Sequence, residues 1–343
     1  MHAPDIHLLS VGTALPGPVV DNATLARRFR MDELWEQWID VFVGTRTRHL
    51  AVDLETGEAR YRLADLCEQA GRRALEQAGV EPSQVDLMVM GTSTPDQLMP
   101  ATVNMVADRL GIDGLATYQL QSGCTGAVQA LNVARQLLMT GEHTTALVLG
   151  GDVCSKIFDV ETDLSTLSPS ELVNVVLFGD GAGAAVLSTR GRPGSTKLVH
   201  VLTRLTGQGR APGQQLEWFT KLDRDPDRAP SSEDYKAIED SVPTMAAETL
   251  RELLDELEWE DTDLDYLLPP QLSGRMTEKI VARMDVRHPR EITCVAETGN
   301  TGNALPFLQL ERVLPRMATG DRAVGIAVES SKWIKAGFAL ERV

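Results

Sequence analysis

The sequence predicts a layered α/β fold built twice over, and three observations carry that reading. Apolar β-type runs alternate with amphipathic helical stretches. Similar segments recur at one fixed offset. Glycine-rich turns sit where strands hand over to helices.

Expected strands are His7–Val11, Leu87–Met90, Ala146–Leu149, Ala184–Leu187, Tyr266–Leu268 and Val324–Val328. Expected helices are Arg62–Gln77, Val103–Leu110, Ala127–Met139, Val242–Leu257 and Leu308–Met317. Apolar strands between helices imply sheets covered on both faces.

The duplication rests on paired segments. ALEQAGVEPSQVDLMVMG, from Ala74, and LLDELEWEDTDLDYLLPP, from Leu253, share a helix end, a polar turn and an Asp before an apolar run. Their aspartates lie 179 residues apart (86 to 265). TGEHTTALVLGG and TGDRAVGIAVES give the same offset at Gly141 and Gly320 (141 to 320). A looser pair joins the strand near Gly181 to that near Gly337. The chain thus divides into residues 1–190 and 191–343. The Gly-, Pro-, Arg- and Asp-rich stretch Gly191–Glu233 reads as irregular structure around one strand, Leu198–Leu202.

A length of 343 residues suits two domains or one large duplicated unit. The net charge of −16 argues against a nucleic-acid or anionic-membrane surface, which would repel it. No run approaches the roughly 20 apolar residues that span a bilayer. Met1–Ile6 lacks a basic region and apolar core, so a cytoplasmic location is expected. Cys67, Cys124, Cys154 and Cys294 are widely spaced and form no CxxC, so neither a disulfide framework nor a zinc site is expected. No metal and no cofactor are expected.

Cys124 lies in QLQSGCTGAVQALNVARQLL, between an apolar run and a long helical pattern. Gly123 and Gly126 permit a tight strand-to-helix elbow. A thiol at a helix start meets free N–H groups and the positive end of the dipole, which favour the thiolate and could hold an oxyanion. Burial as a small inert hydrophobe is the bland alternative, and it fits Cys67 and Cys294. The offset of 179 carries Cys124 onto Asn303, in a second glycine-rich elbow that also holds Asn300. Asn can donate to a carbonyl that is becoming negative, although turn chemistry also explains Asn in such a loop.

These segments resemble the thiolase superfamily, specifically ketoacyl-acyl-carrier-protein synthase III. SGCTGAVQAL is similar to its nucleophile elbow, LFGDGAGAAVL to a family signature, and GNTGNA to its catalytic-asparagine loop. GTSTPDQLMPATVNMVADRLG is similar to its dimer-interface and pocket segment, and WIDVFVGTRTRHLA to its entrance. The resemblance implies a five-layered αβαβα fold with a pseudo-twofold duplication, a homodimer, Cys124 as the acyl-carrying nucleophile and Asn300 as the catalytic Asn. It implies an acyl-carrier protein or acyl-CoA as donor and a small-molecule acceptor. Trp38, Gln271, Ser273, Asn303 and Trp333 are expected at the substrate cavity.

The sequence departs from the family in four places. Pro270 stands where the family has His, in DYLLPPQLSGRM, and proline neither titrates nor donates. None of the six histidines aligns with the missing one. The family's glycine-rich cavity loop near the C-terminus is replaced by ESSKWIKAGF, with Lys332 and Trp333 as bulky substitutes. Phe42 replaces an entrance Arg, and the stretch Asp159–Val176 is long, read as an altered pocket lip or an exposed loop. Acyl loading is spared, whereas decarboxylative condensation loses a donor. The leading expectation is therefore acyl transfer from Cys124 to an amine or hydroxyl in secondary metabolism, as in the aroyl transfer of pactamycin assembly. The alternatives are a condensing enzyme that forms a C–C bond and a non-catalytic partner subunit. An acidic carrier would need local basic residues, with Arg46, Arg48, Arg210, Arg251 and Arg275 as candidates.

Overall fold

A computed structural model describes residues 4–157, 160–167, 169–217 and 231–343. Ten strands form one continuous sheet: β1 (His7–Ala14), β2 (Leu87–Gly91), β3 (Ala116–Leu120), β4 (Thr145–Asp152), β5 (Gly181–Ser188), β6 (Thr196–Leu205), β7 (Tyr266–Leu268), β8 (Arg290–Glu291), β9 (Arg322–Glu329) and β10 (Ile334–Arg342). Their spatial order is β8-β7-β9-β10-β6-β1-β5-β4-β2-β3. That order is a palindrome of two five-stranded halves. In each half the outer three strands run parallel and the inner pairs antiparallel. The halves meet through a short antiparallel pairing of His7 and Leu8 with Lys197 and Thr196.

Six helices complete the layers: α1 (Leu63–Ala78), α2 (Thr102–Leu110), α3 (Gly126–Met139), α4 (Tyr235–Leu257), α5 (Gly274–Met284) and α6 (Leu305–Val313). Side chains alternate across each strand, so one strand feeds two cores. Leu87 and Val89 join α3 and α6 in a central core that also receives Tyr266 and Leu268. Met88 and Met90 point the other way, onto α1 and α2. Leu267, Val324 and Ile326 pack on α4 and α5. The result is five layers, helix–sheet–helix–sheet–helix, as the resemblance implied.

The repeat is precise up to the second elbow. The turns Pro82–Gln84 and Asp261–Asp263, the turns Gly123–Thr125 and Gly302–Ala304, and the starts of α3 and α6 all lie 179 residues apart (82 to 261, 123 to 302, 126 to 305). The pairing of Gly141 with Gly320 is corrected. Leu87 pairs with Ala146 and Tyr266 with Ala323, so the offset there has fallen to 177 (146 to 323). The cause is a shorter helical stretch after the second elbow, Leu305–Arg316 against Gly126–Met139. The Gly181 and Gly337 segments are counterpart strands, though their glycines are not at equivalent positions.

An entrance region of short helices, Asn22–Phe29 and Glu33–Trp38, runs into a π-turn, Ile39–Val43. Asp21 and Asp32 cap the two helices by accepting from Thr24 N and Trp35 N. The helix Pro169–Leu177 packs here, with Val176 and Leu177 buried beside Leu25, Trp35 and Ile39. That part of Asp159–Val176 is thus a packed helix; residues 159 and 168 lie outside the described residues.

Candidate active site

The elbow expected at Cys124 is present. β3 ends at Leu120, Gly123 adopts a left-handed φ of 53°, Gly123–Thr125 form a 3-10 turn, and α3 follows. Cys124 is partly buried and lines a cavity with Pro269, Pro270, Gln271, Asn300 and the β9 residues Ile326–Val328. Cys124, the Asn300 loop and Pro270 thus line the same cavity.

Asn300 is buried, and its Oδ1 accepts from Gly302 N at 3.0 Å. Its Nδ2 has no partner among the described residues, so it remains the donor in that cavity. Gln271 Oε1 accepts from Cys294 N at 2.6 Å and Val295 N at 2.9 Å. It thereby caps the helix Val295–Thr298 that leads into the Asn300 loop.

Several expected cavity residues lie elsewhere. Asn303 is fully buried and does not line the cavity. Its Oδ1 accepts from Ala127 N at 2.7 Å, and its Nδ2 donates to Asp152 at 2.8 Å. It caps α3, the helix of the opposite elbow, because that helix start presents unpaired N–H groups. Ser273 caps α5 through Met276 N. Trp333 is buried under residues 207–213, donates from Nε1 to Ala211 O at 2.7 Å and carries Arg210 3.8 Å over its ring. Trp38 packs with the entrance cluster. None of His7, His49, His143, His200 and His288 lines the cavity.

Glu329, at the end of β9, is the site residue that sequence reasoning missed. It is 1% exposed, and its carboxylate accepts from the Cys124 N–H and from Ser331 N. Burial first, and the Glu329 charge second, push the Cys124 thiol well above its ordinary pKa. This reverses the expected thiolate stabilisation. Burial and the negative neighbours Glu329 and Asp152 act against the helix dipole. The N–H expected to hold an oxyanion is bonded to Glu329 instead.

Of the basic candidates, Arg48 is excluded as a docking residue. It is fully buried, bonded to Asn22 and Val176 O, and burial lowers its pKa to about 10. Arg46, Arg251 and Arg275 are exposed but paired with Glu297, Asp261 and Glu278.

Fold and site define a thiolase-type enzyme, with the Cys124 elbow from one half and the Asn300 loop from the other. The family profile for 3-oxoacyl-[acyl-carrier-protein] synthase III matches residues 118–204, and its C-terminal counterpart matches residues 254–330. The beta-ketoacyl-[acyl-carrier-protein] synthase III of Thioalkalivibrio sulfidiphilus is 34% identical over 89% of this chain and 88% of that protein. The chain belongs to this family. Among solved structures, "AbyA1 - tetronic acid condensing enzyme" is 62% identical, covers 98% of this chain and 99% of that one, and has a TM-score of 0.95. The synthase III of Pseudomonas aeruginosa is 28% identical, with a TM-score of 0.83 and 98% of each chain covered. The priming ketosynthase of the R1128 polyketide pathway is 26% identical, covers 99% of this chain and 97% of that one, and has the same TM-score.

Proposed function

We propose that this chain takes an acyl group from a carrier-protein or coenzyme A thioester onto Cys124 and joins it to a hydroxyacyl thioester, forming a tetronic acid ring. The observation that carries this reading is Pro270 on the wall that Cys124 and Asn300 share. A malonyl donor must lose CO2, which needs its enolate stabilised by two donors. The α-carbon of a β-ketoacyl group is already acidic and needs no decarboxylation. The 62% identity to a tetronic acid condensing enzyme supports the same product class.

A tetronic acid is a five-membered lactone containing a 1,3-dicarbonyl unit. Building it from a β-ketoacyl-Cys124 thioester and a 2-hydroxyacyl thioester takes two bonds. The acceptor hydroxyl attacks the Cys124 thioester and releases the Cys124 thiol. The α-carbon then attacks the acceptor thioester and releases the carrier thiol. The first step is the heteroatom acylation expected from the sequence, and the second is a carbon–carbon closure. The test incubates the protein with β-ketoacyl- and 2-hydroxyacyl-carrier thioesters and follows products by mass. A tetronic acid supports the reading. An open ester alone reduces the activity to acyl transfer, and CO2 release from a malonyl thioester overturns it in favour of a decarboxylative condensing enzyme.

A further inference from the structure

Resting on that reading of Cys124, we propose that Glu329 is the general base of this site, in place of the absent histidine. Its carboxylate is buried, bonded to the N–H of the nucleophile's own residue and in direct interaction with the thiol. Among the described residues the cavity lining holds no histidine, lysine or carboxylate, and Glu329 directly follows the lining residue Val328. The other groups that act on Cys124 are carboxylates of different standing: Asp152 from β4, whose bonds are taken up by the second elbow, and Glu233 from the Ser231–Glu233 strand. Cys154, on the turn after β4, is a further protonated thiol nearby.

The position of Glu329 has a structural parallel that sharpens the inference. Asp152 and Glu329 end counterpart strands, 177 residues apart (152 to 329). Asp152 accepts from Thr92, Ser93, Thr94 and Asn303, using side chains and backbone. Among the described residues Glu329 accepts from two backbone N–H groups, and its charge also bears on the Cys124 thiol. A carboxylate has about four acceptor sites, so Glu329 keeps capacity for a proton.

In loading, the thiol proton passes to Glu329 as sulfur attacks the donor thioester, and Glu329 returns it to the departing carrier thiolate. In transfer, Glu329 takes the acceptor hydroxyl proton as oxygen attacks. The Cys124 thiolate leaves and recovers that proton. A protonated Glu329 holds the Cys124 N–H less tightly, so proton uptake frees that N–H for the oxyanion at the moment it forms.

The experiment compares wild type with Glu329→Gln, Glu329→Asp and Glu329→Gly. Two rates are read: acyl loading by intact mass, and alkylation of Cys124 by iodoacetamide across pH. E329Q is expected to load about 10²–10⁴-fold more slowly. The same variant is expected to be alkylated faster at a given pH, since a negative charge beside the thiol is gone. E329D should recover part of the loading rate, and formate should restore loading to E329G at least about tenfold. A purely structural strap would slow both reactions and gain nothing from formate. Loading by E329Q within about threefold of wild type, or loss without formate rescue, overturns the proposal. A wild type that never forms the adduct fails the functional reading instead, and the alkylation profile still tests Glu329.

Discussion

The two elbows are built alike and held differently. Gly123 and Gly302 share a left-handed φ, 53° and 54°, and each would drive a Cβ into a carboxylate: Glu329 Oε2 at 1.8 Å in one case, Asp152 Oδ2 at 2.3 Å in the other. In both, the following residue gives its N–H to that carboxylate. The second elbow has become scaffolding: Asn303 and Asp152 are saturated with bonds, and Asn303 in turn caps the helix behind Cys124. The first elbow holds the Cys124 thiol beside a more sparsely bonded carboxylate. One duplicated device is thus tied down by many bonds on one side and by few on the other, where the proposed chemistry falls.

Breaking the scaffold side should cost the most stability. Asp152→Asn leaves one acceptor oxygen where several donors converge, and is expected to cost about 3–5 kcal/mol, read as a loss of denaturant midpoint. Gly302→Ala follows, at about 2–5 kcal/mol, because the new Cβ strains a left-handed residue and displaces Asp152. The same change at Gly123 should cost only about 1–2 kcal/mol of strain, yet it displaces Glu329 and should slow acyl loading at least about a hundredfold. Equal stability losses at the two glycines would erase the distinction between the elbows.

A smaller effect concerns pH. The Cys124 thiol titrates above its ordinary value of 9.0, so it is protonated at neutral pH. Alkylation of wild type should therefore keep rising through pH 9 and show no plateau near 7. A plateau near neutrality would mean that the helix start, not Glu329, governs the thiol.

Much of this was legible in the sequence because it is written locally. The glycine-flanked Cys124, the GNTGNA loop and the alternation of strand and helix each follow from neighbouring residues. Pro270 was singled out only through the family resemblance, which expects His there, and it lies in the cavity lining with Cys124 and Asn300. Glu329 was not, for two reasons. It opens a polar run, ESSK, that reads as an exposed turn. The short second helix also moves the repeat by two residues, so the 179 offset hides its equivalence to Asp152. Arg48 failed similarly: its burial depends on Asn22 and on Val176 O, 128 residues away. Trp333, taken as cavity lining, is held by Ala211 in the inter-half stretch, a contact no periodicity encodes.

The central claim is that Cys124 carries the acyl group between donor and acceptor. Intact-mass measurement after mixing with a β-ketoacyl-carrier thioester should show one acyl adduct on wild type and none on Cys124→Ala. Addition of a 2-hydroxyacyl-carrier thioester should then discharge the adduct as product appears in equal amount. Product formation by Cys124→Ala at the wild-type rate, or a wild type that never acquires the adduct, would contradict the account.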